Sequence, residues 1–256
     1  EKYPDVDTAL KLLHILSKYI IEFENVISYG LISEGKSLSY SNYYINTMEA
    51  VHNMSDLKEL SHIMIRLMKC NKEERIDFVI VPKGGNPLLA QYIASELGAN
   101  LIIAKDINDS ARPQESDEID RIGRIKYEGL DILLDKRHMG KLKGVLVDCN
   151  TSGGTQLVTI ASDFNDLINK CNLSIENICN CYVLFKLIKI DLKSGKEVDT
   201  DKRFADINCK LHRLFDLDEE DKKGLCSISY IDYYEAYSSG VLHELRSKIM
   251  SKSRYY

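Results

Sequence analysis

The sequence predicts an α/β fold built on a central, mostly parallel β-sheet that is flanked by helices. Short apolar runs typical of buried parallel strands occur at residues 76–81, 101–104, 145–147 and 178–188. Segments whose apolar residues recur at helical spacing separate these runs. The first and third runs lead directly into glycine-rich loops, as expected at the carboxyl edge of a parallel sheet, where ligands bind.

Composition and charge exclude several classes of protein. The 256 residues are enough for one sizeable core and a small second lobe. A formal net charge of −5 without a basic tract gives no support for bulk nucleic-acid binding. No apolar run approaches the roughly 18 residues that span a bilayer, and no signal peptide is recognisable, so we expect a cytoplasmic protein. The seven cysteines include no C-x-x-C pair, which favours reduced thiols over a disulfide framework or a zinc site.

Residues 1–72 are predicted to form an N-terminal lobe of helices with a hood. Apolar residues at helical spacing predict a helix over residues 6–24. The polar and aromatic stretch 35–46 ends like a strand or an extended segment. Ser55 and Asp56 then begin a second helix with a broad apolar face.

Residues 73–190 are predicted to form the core of the fold. The strand at 76–81, the helix at 88–97 and the strand at 101–104 make one parallel crossover unit. The charged stretch 106–126 has little periodicity and predicts a long mobile loop, which is either a solvated excursion or a lid over a ligand. The segment 127–134 is either a strand or the return of that loop.

Residues 191–256 are predicted to form a C-terminal extension that begins with a hairpin-like turn around Ser194 and Gly195. For its clustered tyrosines, a packed helix face or a dimer surface is favoured over stacking on nucleobases. These tyrosines are Tyr230, Tyr233, Tyr234 and Tyr237. The sequence assigns the extension no role.

The stretch 143–155 carries the strongest functional signal. It reads as a strand that ends at Val147, an acid at Asp148, and a loop of small and hydroxylated residues before a helix. Loop N–H groups and the hydroxyls of Thr151, Ser152 and Thr155 make a phosphate site, and Asp148 can accept hydrogen bonds from sugar hydroxyls. The spacing fits neither a Walker loop nor a dinucleotide-binding fingerprint. The alternative is a glycine-rich turn without a ligand.

This stretch resembles the 5-phosphoribosyl 1-diphosphate (PRPP) loop of the type I phosphoribosyltransferases. The matching residues are Asp148, Cys149, Asn150, Thr151, Ser152, Gly153, Gly154 and Thr155. A second match, to the diphosphate loop of that family, is formed by Lys83, Gly84, Gly85 and Asn86. A third match, at Lys36 and at Tyr43–Tyr44, is similar to the N-terminal segment of orotate phosphoribosyltransferases. The matches occur in the family's order, so the chain is identified as similar to type I phosphoribosyltransferases, with the orotate enzymes as the nearest subclass.

The resemblance implies an activity and a set of residue roles. The activity is transfer of 5-phosphoribose from PRPP to a nucleobase, an orotate-like pyrimidine being favoured, with release of diphosphate. Asp148, Lys83, Lys36 and Arg121 are the catalytic candidates, and Tyr43, Tyr44 and Lys186 the base site. The mobile-loop candidates are Lys105, Arg112, Arg121 and Arg124. The resemblance further implies Mg²⁺ bound through PRPP rather than by a dedicated protein site, and a homodimer.

Departures from the family pattern leave a second interpretation open. Val147 occupies the position of the first of two acids, and Phe185-Lys186 replaces an Asp-Arg pair at the end of the strand after the PRPP loop. Lysine cannot reproduce the planar, two-pronged donation of arginine. The alternative is therefore a catalytically altered PRPP- or nucleotide-binding module, regulatory or an effector within a larger assembly.

Overall fold

The structure, a computed structural model, describes residues 5–22, 43–73, 75–106, 125–135, 140–190 and 195–252. Within these residues the chain forms a seven-stranded sheet with helices on both faces and a separate two-stranded sheet near the N-terminus. The predicted α/β class with a mostly parallel central sheet is confirmed. No helix among the described residues has the length and apolar character needed to cross a membrane.

In the described part of the N-terminal lobe, residues 5–22 and 43–72, the chain forms three helices and the two-stranded sheet. Its elements are α1 (Val6–Lys18), β1 (Ile20–Glu22), β2 (Tyr43–Ile45), α2 (Thr47–His52) and α3 (Met54–Cys70). The predicted helix over residues 6–24 is too long, because Ile20 already pairs with Ile45 in an antiparallel strand. Helix α3 begins just before the predicted Ser55, since the Asn53 side chain accepts hydrogen bonds from the N–H groups of Ser55 and Asp56.

The central sheet positions the two glycine-rich loops side by side. Its strands are β3 (Phe78–Pro82), β4 (Asn100–Asp106), β5 (Ile125–Glu128), β6 (Gly144–Thr151), β7 (Asn180–Leu187), β8 (Lys210–His212) and β9 (Phe215–Leu217). The order is β5-β4-β3-β6-β7-β8, with β9 also paired to β7. All of these pairs are parallel except β4 with β5. Because β3 and β6 are parallel neighbours, the loops that follow them lie at the same edge.

Helices cover both faces of the sheet. The core helices are α4 (Pro87–Leu97), α5 (Leu130–Asp135) and α6 (Thr155–Cys171). On one face, Val79 and Val145 pack in the cluster that contains the buried residues of α1, α3 and α4. On the other face, Ile80 and Leu146 pack with Phe164 of α6. This alternation along β3 and β6 is the period-two pattern of a strand covered on both sides.

The segment after β7 completes the core. It contributes β8, β9 and the helices α7 (Thr200–Ala205), α8 (Glu219–Ser227), α9 (Tyr233–Ser238) and α10 (Val241–Lys252). Leu217, Leu225 and Leu242 are fully buried in the same cluster as Leu13 of the N-terminal lobe. The boundaries 1–72, 73–190 and 191–256 stay a prediction, but the third part shares its core with the other two.

The region of the predicted mobile loop is described only at its two ends. Residues 107–124 lie outside the described part of the chain. Strand β5 returns antiparallel to β4, and Gly129 then leads into α5. The segment 127–134, predicted as a strand or the loop's return, is therefore a strand only to Glu128 and a helix afterwards.

Candidate functional site

The loops after β3 and β6 meet at Gly85 and Asp148. A β-carbon placed on Gly85 would lie 2.8 Å from Asp148 Oδ1 and 3.0 Å from Asp148 Oδ2. Real β-carbons do not approach oxygen that closely, so position 85 has room only for glycine while the carboxylate keeps this place. The structure thus brings together two residues that the sequence placed in separate motifs, 63 positions apart.

The strand in the PRPP-like stretch is longer than the sequence predicted. Strand β6 continues through Asp148 to Thr151, with Asn150 opposite Phe185 and Thr151 opposite Lys186 of β7. The sequence placed Asp148 at the carboxyl end of the strand and the following residues in a loop. The loop assignment is wrong for residues 149–151, because pairing with β7 continues the strand to Thr151. The true loop is Ser152, Gly153 and Gly154, after which Thr155 begins α6.

Asp148 is a partly buried carboxyl with two backbone donors. The Cys149 N–H donates to its Oδ1 at 2.7 Å, and the Asn86 N–H donates to the same carboxyl group. Burial raises the pKa of Asp148 from its ordinary value to about 7, against the lowering effect of these two N–H groups. Close to neutral pH this side chain is therefore divided between its neutral and ionised forms, and hydrogen bonds from ligand hydroxyls would favour the ionised form.

A small polar network joins the N-terminal lobe to both loops. The Asn86 side-chain amide donates to Cys149 Sγ at 2.8 Å and to Thr47 Oγ1 at 3.4 Å. The Asn150 amide donates to the same threonine hydroxyl at 3.5 Å. Thr47 begins α2 directly after the β2 segment that holds Tyr43 and Tyr44. No local sequence pattern predicts this role of Thr47, because the loops that it joins lie far away in the chain.

Lys83 and Lys105 lie at the same edge of the sheet. The Lys83 N–H donates to the Ala104 carbonyl at 2.8 Å, so the diphosphate-like loop leaves the sheet alongside β4. The Lys105 ammonium pairs with Glu128 Oε2 at 2.6 Å and, with smaller contributions from Lys126 and Lys83, lowers the pKa of Glu128. Lys105 was predicted as a mobile-loop residue. It is instead a residue of strand β4, held by pairing to β5.

The base-site candidates Tyr43 and Tyr44 lie on the two-stranded sheet of β1 and β2, which is the described part of the predicted hood. Tyr44 is 46% exposed, whereas the Tyr43 hydroxyl donates to Glu22 Oε1 at 3.2 Å. The Tyr43 carbonyl accepts a hydrogen bond from Lys222 of α8 at 3.4 Å. Strand β2 is therefore hydrogen-bonded to α8 of the C-terminal segment.

Lys186, the third base-site candidate, is only 4% exposed and lies in a buried cluster of charges. Its ammonium is 3.1 Å from Asp216 and 3.5 Å from both Glu197 and Asp201. Arg213 bridges Asp201 and Asp216 with hydrogen bonds to both carboxylates. The Lys186 charge is thus balanced within the chain, a structural role that the sequence did not predict.

The C-terminal segment also covers the PRPP-like loop. Thr200 Oγ1 of α7 donates to the Ser152 carbonyl at 2.7 Å. Arg203 Nη1 donates to the Gly153 carbonyl at 2.9 Å and to Thr155 Oγ1 at 3.0 Å. Gly154 has a φ of 72°, and a β-carbon there would lie 2.8 Å from Thr200 Cγ2. Neither Thr200 nor Arg203 was a candidate in the sequence analysis, because no motif marks them.

Four predicted site residues lie outside the described part of the chain: Lys36, Arg112, Arg121 and Arg124. Their roles stay predictions. Within the described part, no group of three or more His, Cys, Asp or Glu side chains is placed to hold a metal ion.

Comparison with known proteins identifies the class to which the fold belongs. No protein-family model matches the sequence, and no curated protein sequence matches it. Solved structures do match, among them orotate and adenine phosphoribosyltransferases. One is orotate phosphoribosyltransferase from Aeropyrum pernix, with a TM-score of 0.53 and 16% identity, over 81% of this chain and 93% of that chain.

Two further structures extend this likeness. UMP synthase from Leishmania donovani matches with a TM-score of 0.51 and 14% identity, over 94% of this chain but only 43% of that longer chain. Adenine phosphoribosyltransferase from Trypanosoma brucei, solved with AMP, pyrophosphate and ribose-5-phosphate, matches with a TM-score of 0.50 and 12% identity, over 85% and 83% of the two chains. The chain has the phosphoribosyltransferase fold, so the resemblance predicted from the motifs is confirmed at the level of the fold.

Proposed function

We propose that this chain transfers the 5-phosphoribosyl group of PRPP to a ring nitrogen of a nucleobase and releases diphosphate. The observation that carries the proposal is the contact between the two loops, where the Asp148 carboxylate fills the space left by the missing side chain of Gly85. A sugar-binding acid next to a diphosphate-type loop suits a ligand whose ribose and diphosphate are joined at one carbon. The shared fold supports the proposal without deciding it.

Asp148 is the central residue of the proposed reaction. Its carboxylate would accept hydrogen bonds from the ribose hydroxyls. Glycosyl transfer passes through an oxocarbenium-like state, and a carboxylate fixed by two N–H donors stabilises the positive charge that develops on the ring. Cys149, Asn150 and Thr151 have no direct chemistry in this proposal. They hold Asp148 through the strand ladder and the polar network around Thr47.

The phosphate groups of PRPP would occupy the two loops. Ser152, Gly153, Gly154 and Thr155 would bind the 5-phosphate at the N-terminus of α6, where backbone N–H groups favour anions. Lys83, with Gly84, Gly85 and Asn86, would bind the diphosphate, helped by Lys105 from the neighbouring strand. Lys36 and the arginines Arg112, Arg121 and Arg124 complete the proposed set. Mg²⁺ would be held by oxygens of PRPP and by water, and would neutralise the leaving diphosphate.

The proposed acceptor is an orotate-like pyrimidine, bound on the hood by Tyr43 and Tyr44. Tyr44 offers the more accessible ring of the two. In this proposal Lys186 fixes the conformation of the carboxyl end of β7. Three carboxylates already balance its charge. The proposal includes a homodimer and a cytoplasmic location.

The test is diphosphate release from PRPP and Mg²⁺ with each common nucleobase in turn, orotate first. We expect release with one base and a fall of about 100-fold or more in Asp148→Asn, because a fixed charge that stabilises a transition state contributes about that much. Release that does not depend on any base, or that is unchanged in Asp148→Asn, would contradict the proposal.

A pair of glycine variants tests the loop contact itself. Gly85→Ala places a methyl group against the Asp148 carboxylate, whereas Gly84→Ala meets its nearest neighbour, Gln156 Nε2, at an ordinary 3.8 Å. We expect Gly85→Ala to weaken PRPP binding by about tenfold or more and Gly84→Ala to change it much less, because only the first displaces the acid. Equal effects of the two substitutions in calorimetric titrations with PRPP would count against the contact.

A second candidate function is PRPP or nucleotide binding without catalysis, in a regulatory or effector role. The observation that favours it is Val147, which is fully buried in the apolar core and leaves Asp148 as the single acid of the motif. This candidate predicts saturable PRPP binding by calorimetry with no base-dependent release of diphosphate. Turnover with orotate at a rate comparable to that of an ordinary enzyme would exclude it.

A further inference from the structure

The loop proposed to hold the 5-phosphate is covered by α7, the first helix of the C-terminal segment. Two residues on one face of α7, three positions apart, reach it. Thr200 binds the carbonyl of Ser152, and Arg203 binds the carbonyl of Gly153 and the hydroxyl of Thr155. Three of the four loop residues assigned to the 5-phosphate are therefore hydrogen-bonded to this helix.

The positive end of a helix dipole and two cationic side chains lie next to this loop. Helix α6 begins here, and its N-cap Gly154 offers no side-chain acceptor to the first N–H groups. The exposed guanidinium of Arg203 lies at this end, where the helix dipole is already positive. The Lys189 side chain also approaches, with its Cδ 4.0 Å from a β-carbon built on Gly153. Within the described residues no carboxylate pairs with Arg203.

Helix α7 is held in this position from its other side. Asp201, which lies between the two loop-binding residues, pairs with Arg213 and with the buried Lys186. The helix begins at the N-cap Asp199, whose side chain accepts from the Lys202 N–H. Arg203 is thus carried on an anchored element rather than on a free surface segment. Its side chain is pre-positioned beside the loop before any ligand arrives.

We infer that Arg203, supported by the anchored helix α7, is a ligand of the 5-phosphate group of the substrate. This inference rests on the proposed function, because it names a binding residue for the same site. A phosphate monoester would neutralise the charges that converge on the loop. Arginine can meet phosphate oxygens with two parallel N–H groups while its remaining donors keep the loop carbonyl.

The test separates the 5-phosphate from the diphosphate by using three probes: PRPP with Mg²⁺, ribose 5-phosphate, and inorganic diphosphate. We expect Arg203→Ala to weaken calorimetric binding of PRPP and of ribose 5-phosphate by about 10- to 100-fold, the loss typical of a charge-assisted hydrogen bond. Binding of inorganic diphosphate, which needs only the loop at Lys83, is expected to stay within about twofold. Lys202→Ala removes an exposed charge from the same helix and is the matched control, with no change expected for any probe.

Arg203→Gln distinguishes phosphate binding from a purely structural role. Glutamine can still donate to the Gly153 carbonyl but carries no charge, so we expect it to bind ribose 5-phosphate as weakly as Arg203→Ala does. If Arg203→Gln binds ribose 5-phosphate like the unaltered protein, or if Arg203→Ala weakens all three probes equally, the inference is overturned and the proposed function stands. If the unaltered protein binds neither PRPP nor ribose 5-phosphate, the proposed function itself fails.

Discussion

At the scale of single residues, the ionised form of Asp148 is electrostatically unfavourable in the folded protein. Its carboxyl ionises at about pH 7 rather than near 3.8, because burial outweighs two backbone donors. A group whose folded pKa is raised favours the folded state only while it stays protonated. The free energy of unfolding therefore falls as the pH rises from about 4 to about 7, and the fall is complete above the folded pKa. Residues of this kind are typical of functional sites.

We predict that Asp148→Asn is more stable than the unaltered protein at high pH only. Asparagine keeps the shape of the side chain and cannot ionise, so it removes the penalty. A shift of roughly three pKa units corresponds to at most about 4 kcal/mol, and we expect a gain of about 1–3 kcal/mol near pH 8 with almost none near pH 4.

Urea unfolding of both proteins at the two pH values measures this difference. A stability difference that is the same at both values would show that Asp148 has an ordinary pKa in the folded protein. The same variant is expected to lose phosphoribosyl transfer, so a gain in stability and a loss of function would come from one atom replacement.

At the scale of elements, the buried charge cluster determines where α7 lies. Lys186 and Arg213, whose side chains are buried, face Asp216 and the partly exposed carboxylates of Glu197 and Asp201. A buried ion pair adds little net stability, but removing one partner leaves the others uncompensated. The cluster therefore fixes the position of α7 on the loop more than it strengthens the fold.

We predict that Lys186→Met lowers the free energy of unfolding by about 3–5 kcal/mol, because three carboxylates would then face Arg213 alone. Lys202→Met, an exposed change on α7, is the control and is expected to alter stability by less than about 0.5 kcal/mol. Urea unfolding monitored by circular dichroism measures both. If Lys186→Met keeps full stability and changes only the binding of the nucleobase, Lys186 acts in the base site and not in the cluster.

At the scale of the whole molecule, the two ends of the chain form one core. Helix α10 packs against α1, and α8 packs against both strands of the hood. Leu217, Leu225 and Leu242 are fully buried in the cluster that also contains Leu13. The C-terminal extension therefore supports both the hood that presents Tyr43 and Tyr44 and the loop that follows β6.

We predict that a chain truncated after Ile190 does not fold cooperatively. The truncation removes β8 and β9 from the sheet and exposes the apolar face of α1, which packs against α8, α9 and α10. Each large buried apolar side chain contributes about 1.5–3 kcal/mol. Loss of a sigmoidal urea transition is the expected outcome. Tyr230→Ser, at a position that is 98% exposed, is the control and should unfold like the unaltered protein. A truncated chain with a sharp transition would show that residues 1–190 fold without the C-terminal segment.

The sequence predicted the parts of this molecule that local chemistry controls. Short, mostly apolar runs such as 76–81 and 145–147 predict buried strands, because a parallel strand covered on both faces is apolar at nearly every position. Gly98 ends α4 with a φ of 65°, a backbone conformation that glycine adopts without strain. The glycine-rich loops and Asp148 were recognisable for the same reason, since a phosphate site at a strand-to-helix junction needs those residue types at adjacent positions.

Only the tertiary structure decided which distant residues meet. The approach of Asp148 to Gly85, the position of Arg203 on the loop and the partners of Lys186 all join residues far apart in sequence, and each contact depends on how whole elements pack. For the same reason the sequence predicted helix where strand β1 lies. The conformation of β1 comes from pairing with β2 and not from its own residues. The sequence by itself thus determined the fold class and the two loops. The packing of the C-terminal segment against them, which no local pattern encodes, determined the shape and charge of the site.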